Sequence, residues 1–285
     1  MFSALALLLC SAQAQSPAPS VELVVSAAAS LKDVMTEAAR GYKQKQPNVR
    51  LRFNFGSSGT LQHQIEQSAP VDVFIAAADK NMGELAARKL VDARTRRILA
   101  SNVLVLIVHR NSRLLVRRFK DVLSDSVTQV AVGGPSVPAG MRAQEVFTKL
   151  GIWPQVQSKA VRGKDVREVL MQVELGNVEA GVVYRTDAAV SKKVRIVATA
   201  PTSMHKPIRY PLAVVADSQH SAQARDLAQY FASPQVKAVL RKYQFLVKQS
   251  GAASASGRQV TVFKALSKHL HGGKSTLLPE HPAST

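Results

Sequence analysis

Cysteine is nearly missing. The 285-residue chain holds one, Cys10, inside an apolar leader. Once that leader is removed, no thiol remains, which excludes a disulfide, a thiolate-bound metal and a cysteine nucleophile. Aromatic residues are scarce at 5%, while Ala and Val abound. Small side chains of this kind suit helices packed closely on sheets. Acidic residues number 19 against 38 Lys and Arg, a net charge of +19. Long apolar runs are absent too: none approaches the roughly 18 residues of a membrane-spanning helix. The positive field attracts anions. Nucleic acid is a poor fit, because the basic residues are scattered, few aromatics lie among them, and no helix-turn-helix, zinc-finger or RNP pattern is present.

The stretch "MFSALALLLCSAQA", residues 1–14, is predicted to be a signal peptide. Ala4 to Leu9 is too short to cross a bilayer, and Ala12 and Ala14 make a small-x-small cleavage pattern. The n-region carries no Lys or Arg, and a plain apolar N-terminus is the alternative. Leu9 is too bulky for the position before a lipidated cysteine. Residues 15–20 are a Pro/Ser linker. From 21 onward strands and helices alternate, the signature of an α/β protein with parallel sheets flanked by helices. "VELVV", "VRLRFNF", "VDVFIAA", "NVLVLIVH", "TQVAVG", "AGVVY", "VRIVATA" and "RYPLAVVA" read as strands. Asp79 is expected to cap the helix "KNMGELAARKL". Gly151 and Gly176 are expected to close two others. The tail, 250–285, opens on "SGAASASG" and is predicted to be disordered.

Four junctions share one character: "SAAASL", "GSSGTL", "GGPSVPAG" and "VYRTDA". Each follows an apolar strand and leads toward a helix start. In α/β sheets such junctions lie at the carboxyl edge, where ligands bind. A helix N-terminus there leaves unpaired N–H groups and a partial positive charge. Small residues admit a ligand to that backbone, and Ser30, Ser57, Ser58 and Tyr184 add hydroxyl donors. Bland readings stand beside this one. Ser30, with Asp33 three residues on, fits a capping-box variant. "GSSG" is an ordinary turn composition, Pro138 and Gly140 can simply shape a loop, and Tyr184 can be core.

The blocks "SAAASLKDV", "FGSSGTLQHQIEQSAPVDVFIAAAD", "GPSVPAGMRAQEVFTKLG", "KDVREVL" and "GVVYRTDA" resemble, in order and over about residues 21–247, the periplasmic molybdate-binding proteins of ABC transporters. The resemblance implies a type II periplasmic-binding-protein fold, with two lobes, each a mainly parallel sheet flanked by helices, and a ligand cleft between them. Lobe 1 would comprise 21–103 and 209–249, and lobe 2 would comprise 104–208. The implied ligand is molybdate or tungstate, held at Ser30, Ser58, Ala139, Val166 and Tyr184. No side chain would coordinate the metal directly, and no cofactor is implied. The implied partner is the membrane permease of an ABC importer, served by a periplasmic monomer that is not an enzyme. Gly59 departs from the pattern, standing where many relatives have a serine, and predicts a looser loop. The basic charge and the tail are not explained by the resemblance.

Rival readings are a binder of another small anion such as sulfate, phosphate or an organic acid, an iron binder, a polyanion- or lipid-binding module, and a serine hydrolase. For the last, "GSSGT" lacks the final glycine of G-x-S-x-G and His63 follows only five residues on. Iron sites need clustered Tyr, His and carboxylates that these junctions lack.

Overall fold

The structure is a computed structural model that describes residues 20–248; the expected signal peptide, all but Ser20 of the linker, and the tail lie outside the described residues. Ten strands form two five-stranded sheets. The first is ordered β2-β1-β3-β10-β4, from β1 Val21–Ala28, β2 Val49–Gly56, β3 Val73–Ile75, β4 Arg97–Ser101 and β10 Arg209–Val214. The second is ordered β7-β6-β8-β5-β9, from β5 Leu104–His109, β6 Val130–Gly133, β7 Ala160–Gly163, β8 Ala180–Tyr184 and β9 Val194–Thr199. The helices are α1 Lys32–Lys45, α2 Ser58–Glu66, α3 Asp79–Ala87, α4 Pro138–Lys149, α5 Trp153–Ser158, α6 Val166–Glu174, α7 Arg185–Ala189, α8 Ser221–Phe231 and α9 Pro234–Lys242.

The sheets are less parallel than the alternation predicts. In each, two pairings are parallel and two antiparallel. The cause is the exchange of chain between sheets. The chain leaves the first sheet after Ser101 and enters the second at Leu104, then returns between Thr199 and Arg209. A strand arriving from the other sheet enters at the edge nearest that sheet and must run away from it. Hence β5 is antiparallel to both β8 and β9, and β10 to both β3 and β4. The two crossings are tied together, with Asn102 N–H donating to Ile208 O at 3.2 Å and Ala200 N–H to Leu104 O at 2.9 Å.

Beyond Val25 the first strand runs on through the small residues to Ala28, and a 3-10 turn, Ala29–Leu31, leads into α1. Ala27 and Ala28 are buried at the end of β1, in register with Phe55 and Gly56 of β2. Asp79 does not cap α3. It is the first helical residue, and its carboxylate binds Arg209 at 2.7 Å and Arg96 at 3.3 Å. Gly151 and Gly176 end α4 and α6 with φ of +73° each, a conformation that costs glycine nothing. Buried apolar side chains from both sheets form one continuous cluster, with Leu104–Val108 of β5 fully buried in it. A second cluster, including Phe74, Met82 and Ala213, fills the other face of the first sheet.

Close contact also fixes the start of α4. A Cβ on Gly140 would meet Gly133 O at 2.1 Å, so only glycine lets the helix seat against β6. Gly140→Ala is expected to cost about 1–3 kcal/mol through overpacking, read as a lower denaturant midpoint at unchanged slope.

Candidate functional site

The four junctions converge. Ala28, Ser30, Ser58, Ala139, Val166 and Tyr184 are among the residues lining one narrow cleft between the two sheets. All five residues singled out from the sequence are therefore at one wall, contributed by both sheets and by five different strand-to-helix turns.

Ser30 does not cap a helix, since neither the 3-10 turn nor α1 has a side-chain cap. Its Oγ lies 2.9 Å from Tyr210 Oη, and both residues are buried. Proton counting sets the direction. Asn102 Oδ1 accepts from Val103 N–H at 2.8 Å, which leaves Asn102 Nδ2 as a donor, to Tyr210 Oη at 3.0 Å and Thr186 Oγ1 at 2.8 Å. Tyr210 thus accepts from Asn102, and its own proton finds its acceptor in Ser30 Oγ. The Ser30 proton is then free to donate elsewhere. Tyr210 and Asn102 were not singled out from the sequence; they come from the two crossing segments, and nothing local marks them.

Ser57, beside Ser58, is the cap of α2, accepting from Thr60 N–H at 3.1 Å. Ser58 Oγ accepts from Ala77 N–H at 2.8 Å, so its proton is free to donate elsewhere. Ala139 and Val166 stand in the first turns of α4 and α6, where N–H groups have no carbonyl one turn back. Neither N–H has a hydrogen-bond partner among the described residues. Asp165 caps α6, accepting from Arg167 N–H at 2.8 Å and Glu168 N–H at 3.0 Å. Tyr184 Oη is buried and has no hydrogen-bond partner among the described residues. Burial, reinforced by Tyr210 and Asp187, pushes the Tyr184 phenol well above its ordinary range, so it keeps its proton and can donate. The wall therefore presents three hydroxyls and two N–H groups as donors.

Charge is held one layer back and neutralised. Arg167 Nη2 donates to Asp33 of α1 at 2.6 Å, and its Nε lies 2.7 Å from the fully buried Asp187. The second approach is not aligned as a hydrogen bond. Burial opposes the charge on Arg167, but Asp187 and Asp33 outweigh it and hold the guanidinium above its ordinary value. Buried Arg142 pairs with Glu145. Among the described residues no cluster of three or more His, Cys, Asp or Glu could hold a metal ion. His63 is exposed and faces Glu66.

The Arg167–Asp33 pair joins an element of the second sheet to one of the first. So does Gly59, whose N–H donates to Ser136 O at 3.1 Å. The looser loop expected of Gly59 is not found. A Cβ there would meet Ser136 O at 2.6 Å, so glycine brings the two backbones into contact across the cleft.

Burial raises the Asp187 carboxyl from its ordinary 3.8 to about 6, with Arg167 only partly compensating. Between those values the folded chain holds a proton that the unfolded chain has lost. This group's contribution to stability therefore falls as pH rises through the window and is flat above it. The unfolding free energy of the natural chain minus that of Asp187→Asn should decline from about pH 4 to pH 6; denaturant titrations across that range read it directly, and a rising difference would contradict it.

Known proteins resemble this chain in sequence and fold. The family model "Bacterial extracellular solute-binding protein" matches residues 23–246. A Bacillus subtilis protein described as an ABC transporter substrate-binding lipoprotein, YvgL, is 42% identical over 79% of this chain and 86% of its own. The molybdate-binding protein ModA of Haemophilus influenzae is 38% identical over 81% of this chain and 92% of its own. A solved chain from Clostridium difficile, described as the substrate-binding domain of a molybdenum ABC transporter, is 39% identical, superposes with a TM-score of 0.62 and is matched over its whole length by 81% of this chain. The residues matched run from β1 through α9, across both sheets and the cleft between them, and on that extent the chain belongs to the bacterial extracellular solute-binding proteins.

Proposed function

We propose that this protein captures molybdate or tungstate in the cleft and delivers the ion to the membrane permease of an ABC importer. In this reading Ser30, Ser58 and Tyr184 donate through hydroxyls, and Ala139 and Val166 through N–H groups. The observation that carries it is the orphaned hydroxyl of Tyr184, a buried phenol held protonated on a wall that otherwise presents donors. Leaving such a group unpaired costs about 1–3 kcal/mol. A fully deprotonated tetrahedral dianion, which has only acceptors, meets five donors at once. The relatives named for molybdate and molybdenum support the same choice of ion. No catalytic step is part of this reading.

Neutral donors let the ion be released, because no fixed cation has to be separated from it. They also select. A smaller ion such as sulfate cannot reach every donor when both lobes are fixed against each other, and hydrogen phosphate brings a proton toward groups turned to donate. Lobe 1, residues 21–103 and 209–249, and lobe 2, residues 104–208, would move about the two crossings and close on the ion as a hinge. Arg167–Asp33 and Gly59–Ser136 would form as they meet. We place the protein in the periplasm as a monomer, exported through residues 1–14.

Thermal unfolding with molybdate, tungstate, sulfate and phosphate tests the function. A ligand at 1,000 times its Kd adds about 4 kcal/mol of stability. Molybdate and tungstate are expected to raise Tm and the other two not; an equal response to all four, fading with salt, would refute the selective site and leave a general anion binder. Tyr184→Phe is expected to weaken molybdate binding about tenfold or more while leaving the ligand-free protein equally or more stable, since it removes an unpaired buried group. Ser58→Ala should weaken binding with a small loss of stability. Tyr210→Phe, which removes the donor that holds the Ser30 oxygen, should cost about 0.5–1.5 kcal/mol of affinity, measured by calorimetry against Asn102→Ala as a companion.

A further inference from the structure

The basic excess plays no part in the cleft, and one portion of it is gathered at the far end of the second sheet. Residues 110–120 hold five Lys or Arg and residues 192–195 hold three, with no carboxylate in either stretch. The two stretches are joined. Arg110 N–H donates to Lys193 O and Arg110 Nε to Lys192 O, both at 2.7 Å, and Arg195 reaches Ser112 O at 3.2 Å. Arg113, Arg117, Lys120, Lys192 and Lys193 are exposed and make no side-chain hydrogen bond or ion pair among the described residues. Of the nearby carboxylates, exposed Asp125 makes no side-chain hydrogen bond or ion pair among the described residues and is one acid against five such cations, while two others are committed. Asp121 binds Arg118 and the N–H groups of Arg117 and Arg118, and Glu179 accepts from Thr128 and Gln129.

Exposed apolar residues lie in or beside the same stretches of chain. Leu115 is 80% exposed between Arg113 and Arg117, and Val190 and Ile196 are 40% and 42% exposed beside the lysines. Strand register gives the location. Leu104 at the start of β5 pairs with Tyr184 at the cleft, and His109 at its end pairs with Val194. Six residues at about 3.4 Å each put Arg110 roughly 20 Å from the level of the cleft. The face is therefore remote from the ligand wall and can be occupied without covering it.

We propose that this pole of the second lobe docks on a bilayer carrying anionic headgroups, with Leu115 entering the headgroup boundary and the surrounding guanidinium and ammonium groups meeting phosphates. A cluster of uncompensated Lys and Arg beside exposed apolar side chains matches such a surface in both charge and polarity. A soluble polyanion would use the cations and have no need of Leu115. The inference does not depend on which ion the cleft holds.

The test is co-sedimentation of the full chain with vesicles of phosphatidylcholine alone and of phosphatidylcholine and phosphatidylglycerol in equal parts. Binding to the anionic vesicles only, falling with salt, is expected. Because the whole body is basic, two charge-matched variants are compared. Arg113→Ser/Arg117→Ser/Lys192→Ser/Lys193→Ser should lower the partition coefficient tenfold or more. Arg40→Ser/Lys43→Ser/Lys89→Ser/Arg241→Ser, which removes equal charge from the first lobe, should lower it far less. Leu115→Ser should reduce vesicle binding several-fold and leave binding to inorganic polyphosphate unchanged. Equal loss in both quadruple variants would overturn the proposal in favour of diffuse charge. No effect of Leu115→Ser would overturn it in favour of a soluble polyanion or an acidic protein. Unchanged melting temperatures confirm that each variant is folded.

Discussion

Hydrogen-bond donors at the starts of helices have no partner within their own helix, and this protein assembles several of them at one place. The strands that carry the four junctions run toward the space between the sheets, so each helix that follows begins there with its first-turn N–H groups unpaired. No single turn provides more than one or two donors. A wall of five requires two sheets facing each other edge to edge, and that arrangement in turn requires the chain to pass between them twice. The mixed pairing of both sheets follows from the same requirement, since β5 and β10 enter from the opposite direction to their neighbours.

The layer behind the wall keeps these donors oriented. Tyr210, on the strand that returns to the first sheet, fixes Ser30, and Asn102, on the segment that leaves it, fixes Tyr210. The residues that orient the wall are thus also at the crossings, where any change in the angle between the sheets is felt. Arg167 has a related role on the other side, bound to Asp187 within its own sheet and to Asp33 on the facing one. Because its partners balance its charge, it can tie the lobes together without offering a bare cation to the cleft. Gly59 and Ser136 add a backbone contact that no larger residue at 59 would permit.

Separation of charge from the cleft organises the rest of the surface. Selection by neutral donors works best when cations do not compete for the ion, and the acid-free cluster lies at the opposite end of β5. A membrane contact there would hold the protein near a bilayer while leaving the cleft edge open.

Much of this was written in the chain order itself. The run from Val21 to Leu31, apolar and then small and hydroxyl-bearing, determined a strand that ends in a close-packed turn, because only small residues let backbone approach backbone there. The glycines at 151 and 176 determined two helix ends through their freedom to adopt positive φ. Recurrence of one junction style picked out Ser30, Ser58 and Tyr184 and the turn that holds Ala139, before any of them was known to be near another; Ala139 itself and Val166 were marked only by the family resemblance. What local pattern could not reveal was which neighbours they would meet. Ser30 followed by Asp33 reads equally well as a cap, and only the arrival of Tyr210 from 180 residues away shows its oxygen to be engaged otherwise. Gly59 reads as a loosening substitution until Ser136 is found against it, and Asp79 reads as a cap until Arg209 and Arg96 reach its carboxylate. Turn chemistry and strand period are local properties and are carried by adjacent residues. The direction of a hydroxyl proton and the charge of a buried carboxyl depend on groups brought together by the fold, and only the tertiary structure decides them.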